Sequence, residues 1–237
     1  LDDNTLVVFT SDNGPWASKG KAGGVAGPLR GSKGSTLEGG VREPTIVRWP
    51  GKIAAGSSSD SIAGTTDILP TFVSLAGGIL KSDVKIDGVD ISLLLLGKTT
   101  ESPRKEWYYF QGNNLQAVRS GPWKLALTGQ SVGMGMKEKP ADLARTNRLY
   151  NLDEEIGEIT DVAGKNPEVV ARLQKRAKAM AADIAANKRP AATVDNPVTL
   201  YPTTERGGNK PRAIAIPIKW KTVKIGESFD PARTPKI

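Results

Sequence analysis

The first side chains suited to chemistry lie in the turn Ser11-Asp12-Asn13-Gly14, directly after a short apolar run. Carboxylate and amide oxygens are hard ligands of the kind that Ca²⁺ and Mg²⁺ prefer. Because neighbouring residues of a regular strand point to opposite faces, Asp12 and Asn13 can share a ligand only if Gly14-Pro15 ends the strand. The same tetrad is typical of an Asx turn, which is the simpler interpretation of these residues taken alone.

A second candidate is Lys33, which lies among glycines and hydroxyls in the segment 31–36 (GSKGST). Backbone N–H groups and an ammonium can converge there on an oxyanion. The spacing is not that of a P-loop, because Ser32 precedes Lys33 and Gly34 follows it where that motif requires Gly-Lys-Ser/Thr. A flexible loop with a solvated charge is the alternative interpretation.

The composition excludes several kinds of chemistry. The 237 residues include no cysteine and no histidine, and the net charge is +8. Disulfides, thiolate nucleophiles and zinc–thiolate sites are therefore excluded within this chain, as are a Ser-His-Asp triad and histidine-ligated metals. No apolar run is long enough for a transmembrane helix. A chain that begins LDDNTLVVF, without Met, is interpreted as a fragment.

The elements that must position these residues fall into two groups. Apolar runs and turn residues predict strands over 5–10 and 45–49 and helical segments over 68–76 and 91–96, with a long irregular loop over 14–40. Further along, short strands are predicted over 106–110, 115–119, 123–128 and 149–152, followed by a helix that begins at Asn166-Pro167 and ends near 187. The order predicts the end of an α/β domain followed by a small antiparallel α+β lobe.

Several segments together resemble the sulfatase family, and its arylsulfatase-like branch most closely. They are SDNGP (11–15), GSKGSTLEGGVREP (31–44), WPGKI (49–53), LQAVRSGPWKLAL (115–127) and LYNLDEEIGE (149–158). The resemblance covers about residues 1–188. It implies an alkaline-phosphatase-like mixed sheet domain that ends near residue 100 and an antiparallel lobe over 101–188. The prolines and the excess of Lys and Arg after residue 188 predict a Pro-rich basic tail over 189–237.

The resemblance also implies roles for individual residues. Asp12 and Asn13 match positions that help bind a Ca²⁺ ion, and Lys33 matches a lysine that contacts the sulfate. The stretch around Glu38 is expected to be structural, with Glu38 and Arg42 as a buried pair. The family uses a formylglycine made within a Cys/Ser-x-Pro/Ala-x-Arg signature. No such signature occurs here, so the formylglycine is expected in missing sequence.

The predicted function is that of the C-terminal portion of a sulfatase, inactive in isolation, with sulfate esters as substrates and carbohydrate sulfates among the candidates. Its expected partner is the missing N-terminal portion, and neither a nucleic acid nor a membrane is expected. The family suggests a periplasmic or secreted location. One alternative is a related phosphoester or phosphonate hydrolase, and another is a non-catalytic module that binds anionic glycans through the basic tail.

Overall fold

The computed structural model describes residues 2–81 and 85–188, except for the side chain of Asp142. They belong to one compact unit that ends at Lys188. The strands are β1 (Val7–Thr10), β2 (Thr45–Arg48), β3 (Glu106–Gln111), β4 (Asn114–Ser120), β5 (Trp123–Ala126) and β6 (Arg148–Asn151). The α-helices are α1 (Glu38–Val41), α2 (Ile68–Leu75), α3 (Ser92–Leu95), α4 (Pro140–Ala144) and α5 (Pro167–Asn187). Short 3-10 turns lie at Asp2–Asn4, Ala17–Gly23, Thr65–Asp67 and Ala163–Lys165.

The main core lies between α5 and an antiparallel sheet with the strand order β3-β4-β5-β6. Val118, Leu125 and Leu149 lie opposite one another on three adjacent strands, and all three are buried. Leu173 and Ala177 of α5 pack against this row. Burial of each large aliphatic side chain stabilises the fold by about 2 kcal/mol, so this row fixes α5 on one face of the sheet.

The other face of the same sheet carries a polar row. Side chains alternate along a strand, so the sequence neighbours of the apolar residues point away from α5. Arg119, Lys124 and Tyr150 lie opposite one another in this second row. Lys124 and Tyr150 are nevertheless buried, because the segment around Glu38 covers this face.

The second sheet consists of β1 and β2, which pair antiparallel with Phe9 opposite Ile46. Both of these large apolar side chains are exposed, as is Val7. The sequence of β1 is that of a buried strand, yet the described residues leave much of its apolar surface uncovered.

A buried carboxylate, that of Asp67, lies at the N-terminus of α2. The Asp67 carboxylate accepts hydrogen bonds from the backbone N–H of Gly64 and of Val89, each at 2.9 Å, and pairs with Arg104. Asp67 is fully buried. Its carboxylate therefore joins the start of α2 to the segment that precedes β3.

The mixed α/β architecture with antiparallel sheets was predicted correctly, and the predicted strands and helices end within a few residues of the observed ones. The segment 14–40 is less irregular than predicted, because it contains the turn Ala17–Gly23 and the first residues of α1. Helical periodicity was hidden there by glycines such as Gly20, whose φ of 56° interrupts the turn. The boundary at residue 100 stays a prediction, and the tail over 189–237 lies outside the described residues. In the described part of the chain, the helices are too short or too polar to cross a bilayer.

Candidate functional site

Two backbone hydrogen bonds join the Asp12-Asn13 turn to the segment that contains Lys33. The N–H of Lys33 donates to the Pro15 carbonyl at 2.9 Å, and the N–H of Gly14 donates to the Gly40 carbonyl at 2.9 Å. A Cβ atom at Gly14 would lie 2.0 Å from the Gly39 carbonyl oxygen, so only glycine allows this approach. The fold thereby places the two predicted groups of site residues in adjoining segments.

The side chain of Lys33 is half-buried and lies beside an aromatic ring. Its ammonium nitrogen is 5.1 Å from the centroid of the Trp16 indole ring, within the range of a cation–π contact. The Trp16 side chain is itself 41% exposed. The Trp16 ring thus favours one position of the Lys33 ammonium, which remains accessible. Such a cation is suited to contact with a bound oxyanion.

Residues 131–138, called the strap below, hold the Lys33 segment from the other side. Ser35 Oγ donates to the Ser131 carbonyl at 2.6 Å, and Ser32 Oγ donates to the Val132 carbonyl at 3.2 Å. The N–H of Met134 donates to the Lys33 carbonyl at 2.8 Å. The backbone of Lys33 therefore has partners in both flanking segments.

A buried ionic network lies beneath this segment. Glu38 Oε1 is 2.9 Å from Lys124 Nζ and accepts a hydrogen bond from the Tyr109 hydroxyl at 2.7 Å. Glu38 Oε2 lies 3.1 Å from Arg119 Nη1. The expectation that Glu38 and Arg42 form a buried pair is wrong as to burial. Arg42 Nη1 lies 4.0 Å from Glu38 Oε2, but the Arg42 side chain is 34% exposed. Sheet residues that are distant in sequence are the principal partners.

Glu158 completes the network from the other side of Lys124, at 2.8 Å from its ammonium. The Glu158 carboxylate also accepts the backbone N–H of Glu38 at 2.6 Å. Two carboxylates thus share one ammonium, and their pKa values are shifted in opposite directions. Although burial opposes it, the charges of Lys124 and Arg119 lower the pKa of Glu38. Burial, together with the nearby Glu38 charge, raises the pKa of Glu158.

The network fixes the segment through its main chain as well. Lys124 Nζ donates to the Thr36 carbonyl at 2.9 Å, and Gln130 Nε2 donates to the same carbonyl at 3.0 Å. Thr36 Oγ1 in turn donates to Gln116 Oε1 at 2.7 Å. These three side chains come from the four-stranded sheet and from the residue just before the strap, and they add to the contact that Glu158 makes with Glu38.

Asp12 and Asn13 have the chemistry of part of a cation site. Asn13 Nδ2 donates to Asp12 Oδ1, while Asn13 Oδ1 is buried and has no hydrogen-bond partner among the described residues. Burial and the negative charge of Asp12 raise the pKa of the nearby Glu43. An unpaired buried amide oxygen beside a carboxylate is an arrangement that a hard cation would satisfy.

The donor set is smaller than a complete calcium site. Ca²⁺ takes about six to eight oxygen ligands, and the described residues contain no group of three or more acidic, histidine or cysteine side chains placed to hold a metal. The residues present therefore fit part of a calcium site.

Sequence reasoning missed Trp16, Lys124 and Glu158. Trp16 lies in a glycine-rich segment without periodicity, so nothing in the pattern relates its ring to Lys33. Lys124 lies on a strand next to core residues, and only the register of the sheet brings it beneath Glu38. A lysine between the apolar residues Trp123 and Leu125 was the available signal, because such a lysine is rarely buried unless it is paired.

The chain is similar in sequence to several known proteins. Residues 1–79 match the family model named Sulfatase. The chain is 39% identical to arylsulfatase A of Homo sapiens over 192 residues, which is 74% of this chain and 37% of that protein. It is 45% identical to N-acetylgalactosamine-6-sulfatase of Sus scrofa over 123 residues, which is 51% of this chain and 23% of that protein.

The fold is similar to that of a solved sulfatase, PsFucS1 from Pseudoalteromonas sp. The TM-score is 0.69 at 29% sequence identity, with 78% of this chain and 38% of that chain covered. The chain therefore spans less than two fifths of the length of arylsulfatase A and of PsFucS1.

Proposed function

Because the chain belongs to the sulfatase family, we propose that it forms the C-terminal portion of an enzyme that hydrolyses sulfate esters. The observation that carries this proposal is the pair of backbone hydrogen bonds that join the Lys33 segment to the Asp12-Asn13 turn. These bonds bring Lys33, a candidate anion-binding cation, near Asp12 and Asn13, the candidate oxygen ligands of a metal ion. Such proximity is required if a sulfate oxygen is to bind beside a divalent cation.

Lys33 is proposed to donate a hydrogen bond to a sulfate oxygen. An ammonium donor to a negatively charged oxygen makes a charge-assisted hydrogen bond, which is about twice as strong as a neutral one. As the ester bond breaks, negative charge moves toward the leaving oxygen, and a fixed cation stabilises this change without reorganisation. The backbone contacts of Lys33 on both sides support a fixed position.

Asp12 and Asn13 are proposed to supply oxygen ligands to a calcium ion. When bound, that ion would add positive charge near the sulfate oxygens. The unpartnered Oδ1 of Asn13 supports its assignment as a ligand. The remaining ligands, together with the formylglycine, are assigned to residues outside this chain.

The exposed apolar surface of β1 and β2 supports the existence of such a partner portion. Phe9 and Ile46 lie opposite each other in the two strands and are both exposed. Burial of two such side chains would stabilise an interface by several kcal/mol, at about 2 kcal/mol each. The N-terminal portion of the same enzyme is the proposed cover.

The test compares two proteins on two substrates. The full gene product that contains this chain and the isolated 237-residue chain are assayed with 4-nitrophenyl sulfate and with 4-nitrophenyl phosphate. The full product is expected to hydrolyse the sulfate faster, and the isolated chain is expected to hydrolyse neither. Faster turnover of the phosphate by the full product would overturn the proposal in favour of a phosphoester hydrolase, and turnover by the isolated chain would overturn the fragment assignment.

A third outcome concerns binding without catalysis. If the full product turns over neither ester but is retained on a sulfated polysaccharide at low salt, the chain is a glycan-binding module instead. A deletion of residues 189–237 that abolishes this retention would locate the contact in the basic tail.

A further inference from the structure

Two lysine ammonium groups lie beside one exposed indole ring. Lys33 Nζ is 5.1 Å and Lys19 Nζ is 4.9 Å from the centroid of the Trp16 ring. Cation–π contacts at exposed sites contribute about 0.5–1 kcal/mol each. The ring therefore gathers two positive charges that would otherwise repel each other, and it lies next to the cation assigned to the sulfate.

The loop that carries Lys19 is closed by its own backbone. The N–H of Trp16 donates to the Gly23 carbonyl, and the N–H of Lys19 donates to the Trp16 carbonyl, each at 2.9 Å. The strap supports the loop from outside, since a Cβ atom at Gly135 would lie 2.1 Å from the backbone nitrogen of Ser18. The fold therefore holds the backbone at Lys19, and the ammonium of Lys19 lies over the ring.

The stretch of sequence that carries Lys19 and Lys33 is basic. No acidic residue occurs between Asn13 and Glu38, whereas this segment contains three lysines and one arginine. In the described residues, the ammonium of Lys19 contacts the Trp16 ring and forms no ion pair with a carboxylate. A charged group held in place without an anionic partner is suited to an anion that arrives with a ligand.

Resting on the proposed function, we infer that Lys19 and Trp16 select a carbohydrate sulfate that carries a second anionic group. Lys33 contacts the sulfate that is hydrolysed, and Lys19 contacts the second anion on the same or the adjoining sugar. Trp16 acts as a positioning residue, because its ring holds both ammonium groups. This inference adds a determinant of substrate selection that sulfate hydrolysis itself does not require.

The test is made on the full gene product and measures how tightly each probe binds by its competitive inhibition of 4-nitrophenyl sulfate hydrolysis. The probes are N-acetylgalactosamine 6-sulfate and N-acetylgalactosamine 4,6-disulfate. The unaltered chain is expected to bind the disulfate about tenfold more tightly, which corresponds to one additional charge-assisted contact. Lys19→Gln is expected to remove this preference while it changes the affinity for the monosulfate by less than about twofold.

Lys21→Gln is the matched control, because Lys21 belongs to the same loop and is exposed but does not lie over the ring. It is expected to retain the preference. Trp16→Ala is expected to weaken binding of both probes and to weaken the disulfate more, and Trp16→Phe to restore part of both effects, since a phenyl ring keeps a cation–π surface. A purely structural role of Trp16 would instead lower thermal stability without changing the ratio of the two affinities.

The results that would overturn the inference are distinct from a failure of the proposed function. Equal losses of disulfate affinity in Lys19→Gln and Lys21→Gln would indicate diffuse electrostatic attraction. Tight binding of the monosulfate with no preference for the disulfate would overturn the inference alone. If neither probe binds, the inference and the sulfate-binding role of Lys33 both fail.

Discussion

Lys124 Nζ lies 2.9 Å from Glu38 Oε1, and neither side chain is more than 1% exposed to solvent. The two residues are far apart in sequence, and they join the four-stranded sheet to the segment that carries Lys33. An ion pair at this depth stabilises the fold only while both charges and their hydrogen bonds are present. The pair thus couples the folding of the sheet to the position of a candidate site residue.

Replacement of the buried ammonium tests this coupling. Lys124→Met is expected to lower the free energy of unfolding by about 3–5 kcal/mol, because it leaves the carboxylates of Glu38 and Glu158 without their shared cation. Urea unfolding followed by circular dichroism measures this change. Lys105→Met is the control, because Lys105 pairs with Glu101 on the surface and should change stability by no more than about 1 kcal/mol. Equal effects of the two substitutions would contradict the proposed importance of the buried pair.

A distinctive pH dependence is expected from Glu158. Because the pKa of Glu158 is raised in the folded protein, folding favours its protonated form. Its contribution to stability is therefore fully present below the ordinary carboxyl pKa and is lost as the pH rises through the raised value. The free energy of unfolding of the native chain minus that of Glu158→Gln should fall as the pH rises from about 4. A difference that stays constant or increases would show that this pKa is not raised.

The strap can be displaced by a single methyl group. Gly133 has a φ of 94°, and a Cβ atom there would lie 2.5 Å from the Ser32 carbonyl oxygen. Gly133→Ala is expected to lower the melting temperature and to weaken sulfate binding at Lys33. The matched control is Gly121→Ala, since Gly121 also has a positive φ but has open space around it. This control carries only the backbone penalty of a side chain at positive φ, about 1–2 kcal/mol.

The role of Lys33 is tested by activity. Lys33→Ala in the full gene product is expected to lower kcat/KM for an aryl sulfate by about 10²–10³-fold, because a fixed donor to the developing charge is lost. The fold should persist, since the described contact of the Lys33 side chain is with the exposed Trp16 ring. Lys21→Ala, at an exposed position in the same basic segment, serves as the control. A loss below about tenfold for Lys33→Ala would argue against direct contact with the sulfate.

The proposed metal ligands predict an effect on calcium affinity. In the full gene product, Asp12→Ala is expected to weaken calcium binding by about tenfold or more, because it removes one charged ligand. Calorimetric titration after removal of bound metal with EDTA measures this affinity. Asp3→Ala is the control, since Asp3 is an exposed acid near the same strand. Unchanged affinity in Asp12→Ala would remove Asp12 from the ligand set.

The order and type of the helices and strands were predictable where the hydrophobic pattern of the sequence matches the burial of the same residues in the fold. The stripe of α5 and the apolar residues of β4 and β5 both face one core, so periodicity alone identified them. The exposure of β1 was not predictable from its own sequence, which has the composition of a buried strand. Among the described residues, Val7 and Phe9 stay exposed.

The candidate site was predicted only where its residues are close in sequence. Asp12 and Asn13 are neighbours in a turn, and Lys33 is marked by the glycines and hydroxyls around it. The ionic network escaped prediction because Glu38, Lys124 and Glu158 meet only through strand register and a long connection. The clustering of Lys19 and Lys33 on Trp16 depends on backbone closure of a glycine-rich loop, which leaves no periodic signal.

The hydrogen bonds that the strap makes to the Lys33 segment use the strap's backbone rather than its side chains. The carbonyl of Ser131 accepts from Ser35, and the N–H of Met134 donates to Lys33. The exposed side chains of Met134 and Met136 can therefore be exchanged without loss of these hydrogen bonds. Variation at these two positions, natural or in a laboratory library, would thus change the surface of the strap while the contacts that hold the Lys33 segment stay in place.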